Sequence, residues 1–255
     1  MDIKTILDEQ IEQINTKDFI KDDPVQFPRR FEKLQDIEIA AFTTATIAWG
    51  KRSMILRDAE RMLSLMNNSP YDFVMNKGFE SLGNANVHRT FFQPDLAYML
   101  RGFYHIYSKY ESINEMVKAL DISSNTAPAW KLCETLRELS TIANDNCHNH
   151  LCYPANFHSS ALKRINLAIK WLVRNDGIVD LGVWDCIKPS QLFIPLDVHV
   201  GNTARKLNIL NRKSNDRKAV EELTNVLRIY NPNDPIIYDY ALFGIGVNNV
   251  NIENL

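Results

Sequence analysis

The stretch SSALKRINLAIKWLVRND, residues 159–176, decides the fold class. Wound at 100° per residue, it gathers Leu162, Ile165, Ala168, Ile169 and Leu172 on one side. Lys163, Lys170 and Arg174 fall within about 40° of one another on the other side. Ser159 or Ser160 can supply an N-cap oxygen. The pattern predicts an amphipathic helix with an apolar face toward a core and a cationic stripe facing away from it. The same helical recurrence of apolar residues runs through most of the chain, while period-two alternation of β-branched residues is nearly absent. An all-α protein is expected.

Outward from that segment, helices are expected at 2–16, 31–49, 53–67, 94–109, 111–120, 128–144, 160–175, 197–209, 216–229 and 235–246. Breakers such as KDDPVQFP, NNSPYD, CYPANFHSS and NPNDP separate them. Neither an internal repeat nor a low-complexity segment appears, and no linker forces a boundary. A single two-lobed all-α domain over residues 1–255 follows.

At 255 residues and 45% hydrophobic, the chain can bury one sizeable core. Its longest apolar runs, AAFTTATIAW and DYALFGIGV, fall short of the ~20 residues a membrane span needs. The start, MDIKTILDEQ, has no cationic segment leading into an apolar one. No membrane partner and no export are expected. Cys133, Cys147, Cys152 and Cys186 form no dense framework, which fits reduced thiols in a cytoplasm.

The formal charge of −2 conceals an asymmetry. Residues 161–220 hold eleven Lys or Arg against five Asp, a balance of +6, while the remainder, with 18 basic and 26 acidic residues, stands at −8. A basic third on an acidic body suggests that an anion, such as a polynucleotide, meets that third. Solvated helix faces are the other reading of the same charges.

Lys163 differs from its stripe partners because it falls in the first helical turn, where unpaired backbone N–H groups disfavour a further positive charge. An amine kept neutral there is a nucleophile able to form a Schiff base. Its partner comes from FIPLDVHVGNTARKLNIL, residues 193–210. Asp197 follows Pro195 and precedes a helix carrying Val200, Ala204 and Leu207. An N-cap there is worth about 1 kcal/mol. A capping carboxylate is held rigidly and keeps one oxygen free to stabilise charge at a reacting centre.

FIPLDVHVGNTARKL resembles the segment of helix-hairpin-helix (HhH-GPD) DNA glycosylases that carries the catalytic aspartate in a VDVH or VDTH context. Asp197 and His199 match its letters. LKRINLAIKW is similar to the lysine helix of the archaeal 8-oxoguanine glycosylase branch, with Lys163 in the nucleophile's place. The glycosylase-like region covers about residues 160–246. The whole chain also resembles a bacterial family of unassigned activity whose hallmark runs through DLGVWDCIKPSQLFIPLDVHV to DYALFGIGV. The resemblance implies a lysine and aspartate glycosylase and AP lyase acting on damaged duplex DNA, with phosphates held by His199 and nearby cations. Phe243 resembles a position that stacks on the extruded base, although core packing on an apolar helix is the preferred reading. The glycine-rich GVG hairpin of typical members is missing before Lys163. So is the C-terminal four-cysteine cluster, so no iron–sulfur cluster or other cofactor is expected.

Other constellations carry weaker signals. CHNHLCYPANFH offers Cys147, His148, His150, Cys152 and His158 within twelve residues, ligands on paper for zinc but in no closed spacing. A zinc-containing helical protein and a non-catalytic nucleic-acid binder are therefore the rival readings. In TIAWGKRSMILRDAERML, Lys51 and Arg52 follow a glycine break near a helix N-terminus, where cations can contact a phosphate; a turn with solvated cations is the preferred reading. His88, Arg89, Phe91, Phe92, Phe103, Tyr104 and Tyr107 interleave aromatics with cations, and at helical spacing they read mainly as core.

Overall fold

The computed structural model describes residues 2–247. From the N-terminus the chain forms α1 (Ile3–Ile14), α2 (Lys17–Lys21), α3 (Leu34–Thr46), α4 (Arg52–Leu65) and α5 (Pro70–Met75). A two-stranded antiparallel hairpin, β1 (Asn86–His88) and β2 (Phe91–Phe92), follows. Then come α6 (Gln93–Tyr107), α7 (Ile113–Ala119), α8 (Pro128–Ile142), α9 (Lys163–Val173), α10 (Val198–Lys206), α11 (Arg217–Tyr230) and α12 (Tyr238–Val247). The protein is all-α apart from that hairpin. Every helix expected from periodicity is present, and the short α2 and α5, too brief to show a period, were not anticipated.

Two helices organise the rest. Every residue of α3 from Asp36 to Thr46 is buried, and α12 buries seven of its ten residues. A helix that is apolar all round belongs in the middle of a protein, and both are covered on several sides. α3 packs on α9, while α12 lies between α1 and α10. Glycine makes the latter approach possible. A Cβ on Gly244 would stand 2.6 Å from Ile14 Cγ1, and one on Gly246 would stand 2.7 Å from Thr203 Oγ1. The buried apolar side chains form one continuous cluster from Leu7 to Ile245.

Glu38 ties this core to its surroundings. Its buried carboxylate accepts the backbone N–H groups of Ile113 and Asn114 at 2.9 Å each, Tyr107 Oη at 3.0 Å and Trp184 Nε1 at 2.8 Å. It thereby satisfies the first amides of α7 from across the core. Burial pushes the Glu38 carboxyl up to about 7 despite those four donors.

The start of α9 departs from expectation. Neither Ser159 nor Ser160 caps it; Leu162 occupies the cap position with a left-handed φ of +47°. Ser160 is committed elsewhere. Its carbonyl accepts Trp130 Nε1 at 3.0 Å, its backbone bridges Asp216, and its hydroxyl accepts the N–H of Leu162 at 3.3 Å. The helix therefore begins at Lys163 itself. No helix among the described residues is long and apolar enough to cross a membrane.

Candidate active site

Residues of α9, α12, the start of α10 and the α3–α4 turn line a cleft of about 780 Å³. That size lies in the usual range for small-molecule pockets. α9 contributes Lys163, Leu167 and Lys170, and α10 contributes Val198 and His199 after Asp197. Asp239, Tyr240 and Phe243 come from α12, and Ala48, Trp49, Gly50 and Arg52 come from the turn. Phe19, Asp23 and Asn215 are among the other residues of its walls. Gly50 makes the turn possible through its φ of +101°, a conformation that a side chain would strain.

Lys163 and Asp197, 34 positions apart in sequence, meet on this wall. Lys163 Nζ lies 3.3 Å from Asp197 Oδ2 and donates to the carbonyl of Ala48 at 3.0 Å. The other carboxylate oxygen, Oδ1, accepts the N–H of Val200 at 2.9 Å and caps α10. Both side chains keep partial access to the cleft, at 29% and 19% exposure. The spacing makes the amine and the acid an ion pair on the cleft wall, just beyond hydrogen-bond length.

The cationic stripe does not face solvent as its periodicity suggested. Lys170 and Arg174 are 3% and 1% exposed. Lys170 Nζ pairs with Asp239 Oδ2 at 3.0 Å and sits 3.6 Å from the Tyr240 ring centroid. Arg174 donates from Nε and Nη2 to Asp234, at 2.9 and 2.8 Å, and from Nη1 to Asp176 and Asp180. The cause is tertiary: α9 is covered on its polar side by α12, the turn that precedes α12 and the 176–180 loop, whose acids neutralise it. Burial raises the Asp180 carboxyl, against the lowering influence of Lys170 and Arg174. Burial likewise raises Asp23, whose carboxylate caps Val25 beside the cleft. Arg174 is thus consumed inside the fold and does not line the cleft, whereas Lys170 forms part of its floor.

The remaining candidates divide. His199 is exposed on the cleft wall. Phe243 packs edge-on against Phe19 at 6.3 Å while also facing the cleft. The Arg52 guanidinium lies 4.9 Å from the Phe243 centroid, with its Nη2 4.0 Å from Asp23. Lys51 points to the exterior and does not line the cleft. Phe91, Phe103 and Tyr107 are core residues, Tyr104 is half-buried against that core, and Phe92 is exposed.

The Cys and His loop does not converge. No group of three or more His, Cys, Asp or Glu able to hold a metal ion occurs among the described residues. Cys152 is buried and donates to the carbonyl of Asp95, and burial raises its thiol well above the usual range. His148 bonds Thr141, His158 packs at a tilt against Phe157, and Cys147 is exposed. Segment 248–255, where a C-terminal cysteine cluster would have stood, lies outside the described residues.

A family model described as a protein of unknown function, DUF2400, matches residues 23–248. The chain belongs to the DUF2400 family. The matched span contains every residue that lines the cleft except Phe19. No curated protein and no solved structure matches the chain.

Several cleft residues of this DUF2400 member escaped sequence reasoning. Asp23 sits in KDDPVQFP, which reads only as a breaker. Trp49 lies in a helix-terminal run that looks like core, yet it lines the cleft, with the Arg89 and Arg164 guanidiniums 4.7 and 5.9 Å from its ring. Asp239 carried the one usable signal, a carboxylate inside the otherwise apolar YDYALFGIGV. A buried acid of that kind demands a buried cation, and Lys170 is that cation.

Proposed function

We propose that this protein is a DNA glycosylase with AP lyase activity that removes an oxidised, 8-oxoguanine-like purine through a lysine Schiff base. The fold is read as the two-lobed HhH-GPD type, with the cleft between lobes. One observation carries the proposal: the 3.3 Å approach of Lys163 Nζ to Asp197 Oδ2 on the wall of a cleft large enough for an unstacked base. The sequence resemblance supports it, as does the basic third that bears both residues.

A lesion leaves the duplex stack at a cost of a few kcal/mol, least for bases that stack or pair poorly. Asp197 takes a proton from the Lys163 ammonium, and the neutral amine attacks the sugar C1′. The C1′–N9 bond breaks with its electron pair going to the base, which picks up a proton from solvent. Loss of further amine protons and departure of the ring oxygen O4′, which is protonated in turn, give the C1′=Nζ Schiff base. Abstraction of a C2′ proton then expels the 3′-phosphate and nicks the strand, and hydrolysis frees the lysine. The chemistry needs no cofactor, because the amine is its own nucleophile.

Borohydride reduction tests this. Wild-type protein should form a covalent adduct with duplex DNA containing 8-oxoguanine, and Lys163→Ala should form none. Absence of an adduct from wild-type protein across oxidised-purine duplexes would leave a non-catalytic nucleic-acid binder as the better reading.

A further inference from the structure

Of the eleven cations between residues 161 and 220, the structure accounts for those on α9 within the fold. Lys163 is paired in the cleft, and Lys170 and Arg174 are neutralised in the core. Arg164 donates to the carbonyl of Leu151 and lies near Trp49. Six of the remaining seven fall within fourteen residues, 205–218: Arg205, Lys206, Arg212, Lys213, Arg217 and Lys218. Asp216 is the single acid among them. Lys206, Lys213 and Lys218 are exposed, and none forms an ion pair among the described residues.

This segment is joined to the cleft. Asn215 lines the cleft and donates to the Asp197 carbonyl at 3.0 Å, and its own Oδ1 accepts Arg205 Nη2 at 2.6 Å. Arg205 also donates to the carbonyl of Arg212 at 2.8 Å, which fixes the loop between α10 and α11 in one shape. Beside it, a second depression of about 490 Å³ is lined by His158, Ser159 and Lys218 together with the ion pairs Arg212–Asp216 and Arg217–Glu221, which leaves Lys218 as its uncompensated cation among the described residues. Three exposed lysines without ion-pair partners among the described residues, on a segment joined to the cleft through Asn215, suit an extended polyanion better than a single small anion.

We propose that residues 205–218 are the phosphate-docking edge of this protein, gripping the backbone of duplex DNA beside the cleft through Lys206, Lys213 and Lys218. The inference rests on the reading of duplex DNA as the partner. It supplies a phosphate grip in a chain that lacks a glycine-rich hairpin before Lys163.

The test is the salt dependence of binding to duplex DNA, read by fluorescence anisotropy on the full chain. Each lysine–phosphate contact contributes about 0.9 to the slope of log K against log salt. Lys206→Ala/Lys213→Ala/Lys218→Ala should lower the magnitude of that slope by about 2–3 and weaken binding at least tenfold on every sequence. The corresponding triple arginine variant should retain both. Lys77→Ala/Lys109→Ala, which removes exposed cations elsewhere, should change neither. An unchanged slope in the triple alanine variant overturns the proposal, as does wild-type protein that binds no duplex or prefers an RNA hairpin. A borohydride adduct with an unchanged slope sinks this inference alone; a lowered slope without any adduct sinks the glycosylase reading alone.

Discussion

The Asp197 carboxylate serves two neighbours at once: Oδ1 holds the Val200 N–H at 2.9 Å, and Oδ2 stands 3.3 Å from Lys163 Nζ. The first contact fixes where the second oxygen points. An acid on a flexible loop would need to be ordered at each turnover, whereas this one is ordered by folding.

The two duties separate by substitution. Asparagine caps helices as well as aspartate, so Asp197→Asn should unfold within about 0.5 kcal/mol of wild type, whereas Asp197→Ala should lose about 1 kcal/mol. On the proposed mechanism both variants lose the proton acceptor, and single-turnover excision should slow by about 10²–10⁴-fold in each. Equal stability loss in the two variants would remove the capping role. Full activity in Asp197→Asn would remove the chemical one.

The buried end of the stripe should dominate stability. Removing one partner of a buried ion pair strands the other, at about 3–5 kcal/mol. Lys170→Met should therefore cost that much in urea unfolding, because Asp239 and its neighbouring acids lose their cation. Lys163→Met removes a partly exposed amine from a pair worth at most about 1 kcal/mol, so it should unfold close to wild type. The reverse order would mean that the cleft, not the core, depends on these charges for folding.

Glu38 makes stability depend on pH with a definite sign. Its folded carboxyl holds its proton up to about 7, above the ordinary 4.5, so the folded state binds more protons than the unfolded chain between those values. The stabilisation is complete below pH 4.5 and is lost as pH rises through 7. Relative to Glu38→Gln, which does not titrate, the wild-type unfolding free energy should decline by on the order of 3 kcal/mol across that window. Denaturation curves of both proteins at several pH values give the difference directly. A flat difference would show that the four donors to Glu38 fully offset its burial.

The helices were legible because their apolar spacing is a local property, and Asp197 was legible because it stands two residues after a proline and directly before an amphipathic helix. Pairing was not. Period alone placed Lys163, Lys170 and Arg174 on one face and assigned that face to solvent, since amphipathicity cannot tell water from a wall of acids. Those acids, Asp176, Asp180, Asp234 and Asp239, are scattered over 64 positions and assemble only when α12 closes over α9. Lys163 shows the same limit from the other side. Its place in the first turn could be read locally, but its partners, the Asp197 carboxylate and the Ala48 carbonyl, are brought to it only by the packing of α9 on α3 and the approach of α10.

The turn that carries the Ala48 carbonyl is itself held, through the next residue. His88 is fully buried, with Nδ1 2.7 Å from Asp58 Oδ2 and Nε2 2.8 Å from the carbonyl of Trp49, the residue after Ala48. His88 therefore fastens the turn that carries both Lys163's carbonyl partner and the Trp49 wall. His88→Ala leaves a buried carboxylate short of one partner and a carbonyl unpaired, a loss of about 2–4 kcal/mol. The local consequence is more specific than the global one. Amide exchange should quicken at residues 47–51 beyond what the fall in overall stability explains, and the yield of borohydride adduct should drop while Lys163 remains intact. If exchange there merely follows the rest of the core, His88 is a packing residue and the turn holds itself.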